Sequence, residues 1–475
     1  MSTDTAEAPK KNRTVLDQHG QSYELTDRLG EGGQGIVCTT NYPNVLVKIA
    51  RVTTEEQRSS WTNKIRTLMR QPLDGLPIAH PLALVTQPQP GYVMELMDGL
   101  IPMTDLLQVA TEALMTDEGL SGYIKTGGLL RRLKMLARLA RILAELHGRG
   151  LAYGDLSPDN VFVSRSLEFA EVWLIDADNI SSQSRDSQHG LYTPDYGAPE
   201  VLRGDSGIST LTDSWSFAVL AYRNLTLAHP LKGDDVLEGE PEREEAALRG
   251  ELPWVDHPVD RSNALSIGLP REITLSPTLR ALFEQCFNAG LNDPGKRPSL
   301  SEWADAFEAA TGHCDHCTSC NSTYFYNAKH TCPFCDHVYQ RNHAILFHEY
   351  RYVPPDLLRE GLPEDILESL IREECWTRTG NVLVVGPSTV ELKVFPLGTS
   401  LHDDAIPLCT VELAEDGLWI EPSAHIQVSL QRASDDKVVR VKRRQRLKSD
   451  SQSGVSFWLH LGALEEEHVV WRFKW

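Results

Sequence analysis

The residues best suited to chemistry lie far apart in the chain. In "LAYGDLSPDNVFV", residues 151–163, Asp155 and Asn160 stand five apart. One loop can then aim a carboxylate at a hydroxyl and an amide oxygen at a metal. The competing reading is a surface turn that uses Asp, Ser, Pro and Asn for turn chemistry alone. In "VWLIDADN" an apolar run ends abruptly in Asp176, and a carboxylate at the end of a buried strand is a good magnesium ligand. Lys48 sits in the apolar stretch "VLVKIA", where burial without an anion is costly, although a lone lysine there more commonly snorkels. Upstream, "GEGGQGIV" places Gly30, Gly32 and Gly35 in the pattern G-x-G-x-x-G, with Gly33 between them and Val37 beyond. Strand-like residues on both sides favour a hairpin folded over phosphates rather than a strand–turn–helix nucleotide site, and a plain glycine-rich turn is the alternative. Ala198, Pro199 and Glu200 complete the set in "TPDYGAPEV".

A second chemistry is written in the cysteines. Of nine, five fall between 314 and 335 in "HCDHCTSCNSTYFYNAKHTCPFCDH". Two C-x-x-C knuckles around a short aromatic strand form a zinc-ribbon pattern, because tetrahedral zinc takes four ligands from two turns. Five cysteines compete for four places. Cys317, Cys320, Cys332 and Cys335 are assigned as ligands, since "STYFY" then follows the first knuckle directly, and Cys314 is the spare. Redox sensing is the rival reading. Without an apolar leader in "MSTDTAEAPKKNRT", clustered cysteines point to metal in a reducing compartment, the cytoplasm.

These residues need elements to hold them. Residues 23–50 alternate in the strand manner, "TTEEQRSSWTNKIRTLMRQ" reads as a helix with Thr53 and Glu56 as its capping box and Trp61, Ile65, Leu68 and Met69 on one face, and "ALVTQP" and "GYVMEL" return to strand. From "GGLLRRLKMLARLARILAELHGRG" to residue 312 the chain is mainly helical, with an acidic surface insert from Lys232 to Arg249. A Pro-interrupted helical linker covers 341–375, and short alternating strands cover 376–475. A chain of 475 residues suggests about two to four domains. The net charge of −20 argues against nucleic acid and anionic membrane as partners, and no apolar run approaches the roughly 18 residues of a membrane span. The basic run "KVVRVKRRQRLKS" is either a solvated strand face or a dock for an acidic or phosphorylated partner.

The five motifs occur in the order and at about the spacing of the protein-kinase signature, and the resemblance covers residues 23–312. "LTDSWSFAVLAYRNLTLAHPL" is similar to the kinase D-x-W-S-x-G stretch, and "NDPGKRPSLSEW" resembles its closing arginine segment, which implies an ion pair of Arg297 with Glu200. The fold implied is α+β: a tail at 1–22 expected to be disordered, a kinase N-lobe at 23–100, a C-lobe at 101–312, a zinc ribbon at 313–340, the helical linker and an all-β docking module. By similarity, the 30–35 turn would cover the ATP phosphates and Lys48 would hold them. Asn160 and Asp176 would bind magnesium, Asp155 would orient and deprotonate the substrate hydroxyl, and Met94, Glu95 and Met97 would line the adenine site. "TPDYGAPE" resembles the substrate loop of serine/threonine kinases, with Thr193 in it, and disfavours a small-molecule kinase.

The departures are specific. His-Arg-Asp is Tyr153-Gly154-Asp155, which removes the arginine that reads a phosphorylated loop; Ser157 replaces a common lysine; Asp-Phe-Gly is Asp176-Ala177-Asp178. The helical glutamate that should pair with Lys48 has no counterpart, since one turn back from Leu68 or Met69 stands Lys64 or Ile65. These features, with the cysteine-rich module behind, resemble bacterial kinases encoded beside von Willebrand A-type proteins and metal-dependent phosphatases in tellurite-resistance-type clusters, which implies such proteins as partners besides a protein substrate. The alternative is a pseudokinase scaffold acting through its appended domains.

Overall fold

The computed structural model describes residues 13–31, 35–116, 118–182, 193–327, 329–339, 343–358, 375–394, 405–434, 437–448 and 454–475. The first lobe is a closed antiparallel barrel in the order β1 (Arg13–Asp17), β2 (Ser22–Glu31), β3 (Gly35–Thr40), β4 (Val45–Ala50), β6 (Gly91–Glu95), β5 (Ala83–Gln87). Closure comes from β1, which pairs with both β2 and β5. Residues 13–22 therefore do not belong to a disordered tail. Val15 is buried against Tyr23, Val47, Val85 and Val93, and Asp17 accepts the His19 and Gln21 amides and the Tyr23 hydroxyl.

Helix α1 (Glu55–Leu68) follows β4. Its capping box is Thr54 with Gln57, one residue beyond the expected pair: the Gln57 amide donates to Thr54 Oγ1 and the Thr54 amide to Gln57 Oε1. Ile65 and Leu68 are buried, and Trp61 and Met69 pack against the same core, so the apolar face falls where the period of 3.6 places it.

The second lobe is built on two long helices. Helix Gly128–Gly148 buries Leu129, Leu133, Leu136 and Leu143, and helix Thr210–Thr226 buries Trp215, Phe217 and Tyr222. Aromatic packing of Trp215, Tyr222, Phe283, Phe287, Trp303 and Phe307 fills the centre. The acidic insert is more than surface decoration. Helices Asp234–Leu237 and Pro241–Leu248 bury Val236, Ala247 and Leu248, and Lys232 bonds Asp195 at 2.8 Å and Glu244 at 2.6 Å.

Strands Cys314–His316 and Thr323–Phe325 pair at the edge of this lobe. Thr323 Oγ1 accepts the Leu130 amide at 2.9 Å, and Cys314 and Phe325 pack on the lobe's core, so the cysteine-rich piece is fixed to the start of helix Gly128–Gly148. The last part is two sheets around one core that includes Phe347, Leu392, Leu418, Val428, Leu459 and Phe473. One sheet has six strands, in the order Trp376–Val385, Ile345–Tyr352, His468–Lys474, Ser456–Leu461, Val428–Arg432, Val438–Val441; the other has four. The expected helical linker at 341–375 is corrected at its start: Ile345–Tyr352 is an inner strand of the larger sheet, with Ile345 and Phe347 turned into the core. Residues 355–358 are helical, and 359–374 lie outside the described residues.

Candidate active site

Two glycines bring β3, β4 and β6 close together. A Cβ on Gly35 would stand 2.4 Å from the Ile49 carbonyl oxygen, and one on Gly91 would stand 2.5 Å from that of Lys48. Gly30 pairs with Val37 at the mouth of the hairpin; Gly32 and Gly33 lie outside the described residues. Lys48, on β4, is buried. Its ammonium lies 2.6 Å from Asp176 Oδ1 and 2.7 Å from Asp178 Oδ2. Burial pushes the ammonium pKa down, and the charges of Asp178 and Asp176 more than reverse this, holding it above the ordinary lysine value. Asp178, which meets Lys48 here, was not among the candidates that sequence reasoning named. The visible signal was a second acid two residues after Asp176.

Strands Val161–Ser164 and Val172–Leu174 pair antiparallel and carry the two loops to one place. The Ile175 amide donates to the Asn160 carbonyl at 3.0 Å, which ties the loop of Asp155 to that of Asp176. Asn160 Nδ2 donates to the Asp155 carbonyl at 2.9 Å and to Asp155 Oδ2 at 3.3 Å. Asp155 Oδ1 accepts both the amide (2.9 Å) and the hydroxyl (3.0 Å) of Thr193. Burial raises the Asp155 carboxyl above its ordinary value, and the two Thr193 bonds restrain the rise. Tyr153 and Gly154 present their amides to Asp213 at 2.7 and 2.9 Å, and His147 Nε2 meets the same carboxylate at 2.9 Å. Asp213 thus staples the loop from below, and the Tyr153 hydroxyl donates to the Ile175 carbonyl.

These donors suit a hard cation. Asn160 uses its amide hydrogens on Asp155 and keeps Oδ1 as an acceptor, while Asp176 uses Oδ1 on Lys48 and keeps Oδ2. Two oxygens from adjoining loops are an ordinary protein share for magnesium, which retains waters and takes phosphate oxygens besides. Met94 is buried at the end of β6, with Glu95 exposed and Met97 half-buried beyond it. The Leu96 amide turns back to the Asn44 carbonyl at 2.9 Å, so alternation along β6 points the Glu95 backbone the other way.

Away from the cleft, Arg297 meets Glu200 with two parallel bonds of 2.7 and 2.8 Å, both residues buried, and stacks over Trp215. The four sulfurs of Cys317, Cys320, Cys332 and Cys335 lie within 4.8 Å of one another, with pairs at 3.7 and 3.8 Å. A tetrahedron with Zn–S bonds of about 2.3 Å has edges of about 3.8 Å, so the spacing fits zinc. Cys314 stands apart, its sulfur 3.6 Å from the Ala310 carbonyl.

Comparison with known proteins bears on the first of these two sites. Residues 23–307 match the protein kinase domain family. Relatives include the serine/threonine-protein kinase pkn2 of Myxococcus xanthus, 34% identical over 191 residues, which are 38% of this chain and 20% of that protein. The human ribosomal protein S6 kinase alpha-6 is 27% identical over 45% of this chain and 28% of its own length. For the serine/threonine-protein kinase PknD of Chlamydia felis the values are 25%, 45% and 25%. The matched region thus spans less than a third of each of these relatives.

Proposed function

The chain belongs to the protein kinase family, and from that membership we propose that it transfers the γ-phosphoryl group of ATP to a serine or threonine hydroxyl of a protein substrate. The observation that carries this is the joined pair of loops: Asp155 fixed by Thr193 and Asn160, and Asn160 bonded in turn to the segment bearing Asp176. Asp155 orients the attacking hydroxyl and accepts its proton, Lys48 holds the α- and β-phosphates, and Asn160 and Asp176 hold magnesium. Magnesium, when bound, neutralises charge on the phosphates. The protein's own share is positioning, which needs no covalent step. The missing helix glutamate and Ser157 favour the scaffold alternative, but Lys48 has two carboxylates without that glutamate.

Zinc on Cys317, Cys320, Cys332 and Cys335 is proposed as a closed structural ion, since four protein ligands leave no open position. The ribbon and the C-terminal sheets are proposed to dock partners. A von Willebrand A-type protein and a metal-dependent phosphatase are carried as candidates on sequence resemblance alone. Among the described residues no helix is long and apolar enough to cross a membrane.

Labelled ATP with magnesium and a protein acceptor tests the main proposal. Asp155→Ala should lose transfer by roughly 10²–10⁴-fold while keeping Mg-ADP binding, and Asp176→Ala should lose the magnesium-dependent part of that binding. Equal transfer by Asp155→Ala and wild type would overturn the kinase reading.

A further inference from the structure

We infer that Asp178, rather than a carboxylate on helix α1, is the positioning residue for Lys48, and that it keeps the lysine in place while Asp176 is given up to a metal ion. The inference rests on the kinase reading above.

The two carboxylates on Lys48 differ in access. Asp178 is 2% exposed, whereas the Asp176 side chain is 27% exposed and faces the cleft. Both come from one tight turn: Asp176 has φ 56°, and residues Ala177–Asn179 form a single 3-10 turn that brings Asp178 back beneath the same ammonium. A buried carboxylate needs a cation, and among the described residues Lys48 is the cation at hydrogen-bond distance of Asp178, which it meets at Oδ2. Helix α1 has no acid to offer. Its only two, Glu55 and Glu56, are exposed in the first turn. Trp61 instead stacks on Tyr92 at 6.1 Å and 13°, and the Tyr92 ring centroid lies 5.8 Å from the Lys48 ammonium. Beside Lys48, α1 thus contributes an aromatic contact in place of a carboxylate.

A lysine with one carboxylate would compete with metal for it. With two, the outer one can turn to the cation while the inner one holds the lysine. The anchor and the metal ligand then ride on the same turn, and α1 need not move to assemble the site.

The test is the magnesium dependence of ADP binding, measured by calorimetry on the full chain for wild type, Asp178→Asn, Lys48→Met and the double variant. Asp178→Asn leaves Lys48 holding Asp176 alone, so half-saturation should require about threefold more magnesium or higher, and this shift should vanish in the Lys48→Met background. An equal shift in both backgrounds would mean that Asp178 acts only as a nearby charge and would overturn the inference. Failure of wild type to bind Mg-ADP would remove the kinase reading itself. Should Asp178→Asn not fold, Glu55→Gln with Glu56→Gln decides: kcat and KM for ATP should stay within about twofold of wild type, and a fall in kcat of about tenfold would put the lysine's partner on α1.

Discussion

Asp155 shows how a side chain's neighbours set its chemistry. In its proposed role as general base Asp155 must be ionised, so transfer should fall as pH drops through the Asp155 pKa, which burial has raised. Thr193 opposes the rise with two bonds, one from its amide and one from its hydroxyl. Thr193→Val removes the hydroxyl and keeps the amide. The acid limb of the kcat profile should therefore move to higher pH, with the alkaline limb in place. A profile that does not move would show that the hydroxyl bond does not tune the base. Gly154 is constrained differently. With φ at 93° and a Cβ that would stand 3.0 Å from the Asn179 carbonyl, it does not accept the arginine usual at this position without strain of about 1–3 kcal/mol.

The segment from Asp176 to Glu200, "DADNISSQSRDSQHGLYTPDYGAPE", inherits that constraint. With no arginine at 154 to pair a new phosphate, phosphorylation of its serines has no built partner there. Ser181 and Ser182 form a short strand against Leu151 and Ala152; Ser184 and Ser187 lie outside the described residues. Replacing all four by alanine should change activity by less than about tenfold in an ATP-transfer assay. The far end of the segment is fastened by Glu200 to Arg297, across 97 residues of sequence. Breaking that buried pair by Arg297→Met strands a carboxylate and should cost about 3–5 kcal/mol in chemical denaturation. Adding Glu200→Gln should recover much of the loss, because the stranded charge is then gone.

The modules are joined by packing as well as by chain. The strand Thr323–Phe325 of the cysteine-rich piece rests on the start of helix Gly128–Gly148, and Gly312 packs so closely on the Val382 carbonyl that a Cβ there would stand 2.2 Å away. Zinc on the four cysteines is expected to order the cysteine-rich piece between these contacts and to leave the chemistry in the cleft alone. Elemental analysis should find one zinc per chain, retained in Cys314→Ser and lost in Cys335→Ser. Chelation should expose residues 313–475 to protease, while ATP chemistry survives in excess magnesium. Structural zinc of this kind is worth roughly 10–16 kcal/mol in apparent binding energy, enough to hold a piece with little core of its own. Zinc-free protein, or loss of metal with Cys314→Ser alone, would refute the ligand assignment.

The sequence by itself determined which residues could do chemistry. Asp155 and Asn160, Asp176 after its apolar run, Lys48 in its strand and the paired cysteines are legible because phosphate, metal and zinc chemistry demand particular atoms at short spacing. The apolar face of α1 was legible for a similar local reason, the period of the helix. Tertiary structure alone decided what meets what. Lys48 and Asp178 lie 130 residues apart, and no local pattern says that a turn will fold an aspartate under a lysine. Five residues at Arg13–Asp17 become a strand only because β2 and β5 offer edges on either side. Ile345–Tyr352 is a strand because Trp376–Val385 and His468–Lys474 flank it. Pairing energy in a sheet comes from a partner distant in sequence, so a short strand carries little signal of its own.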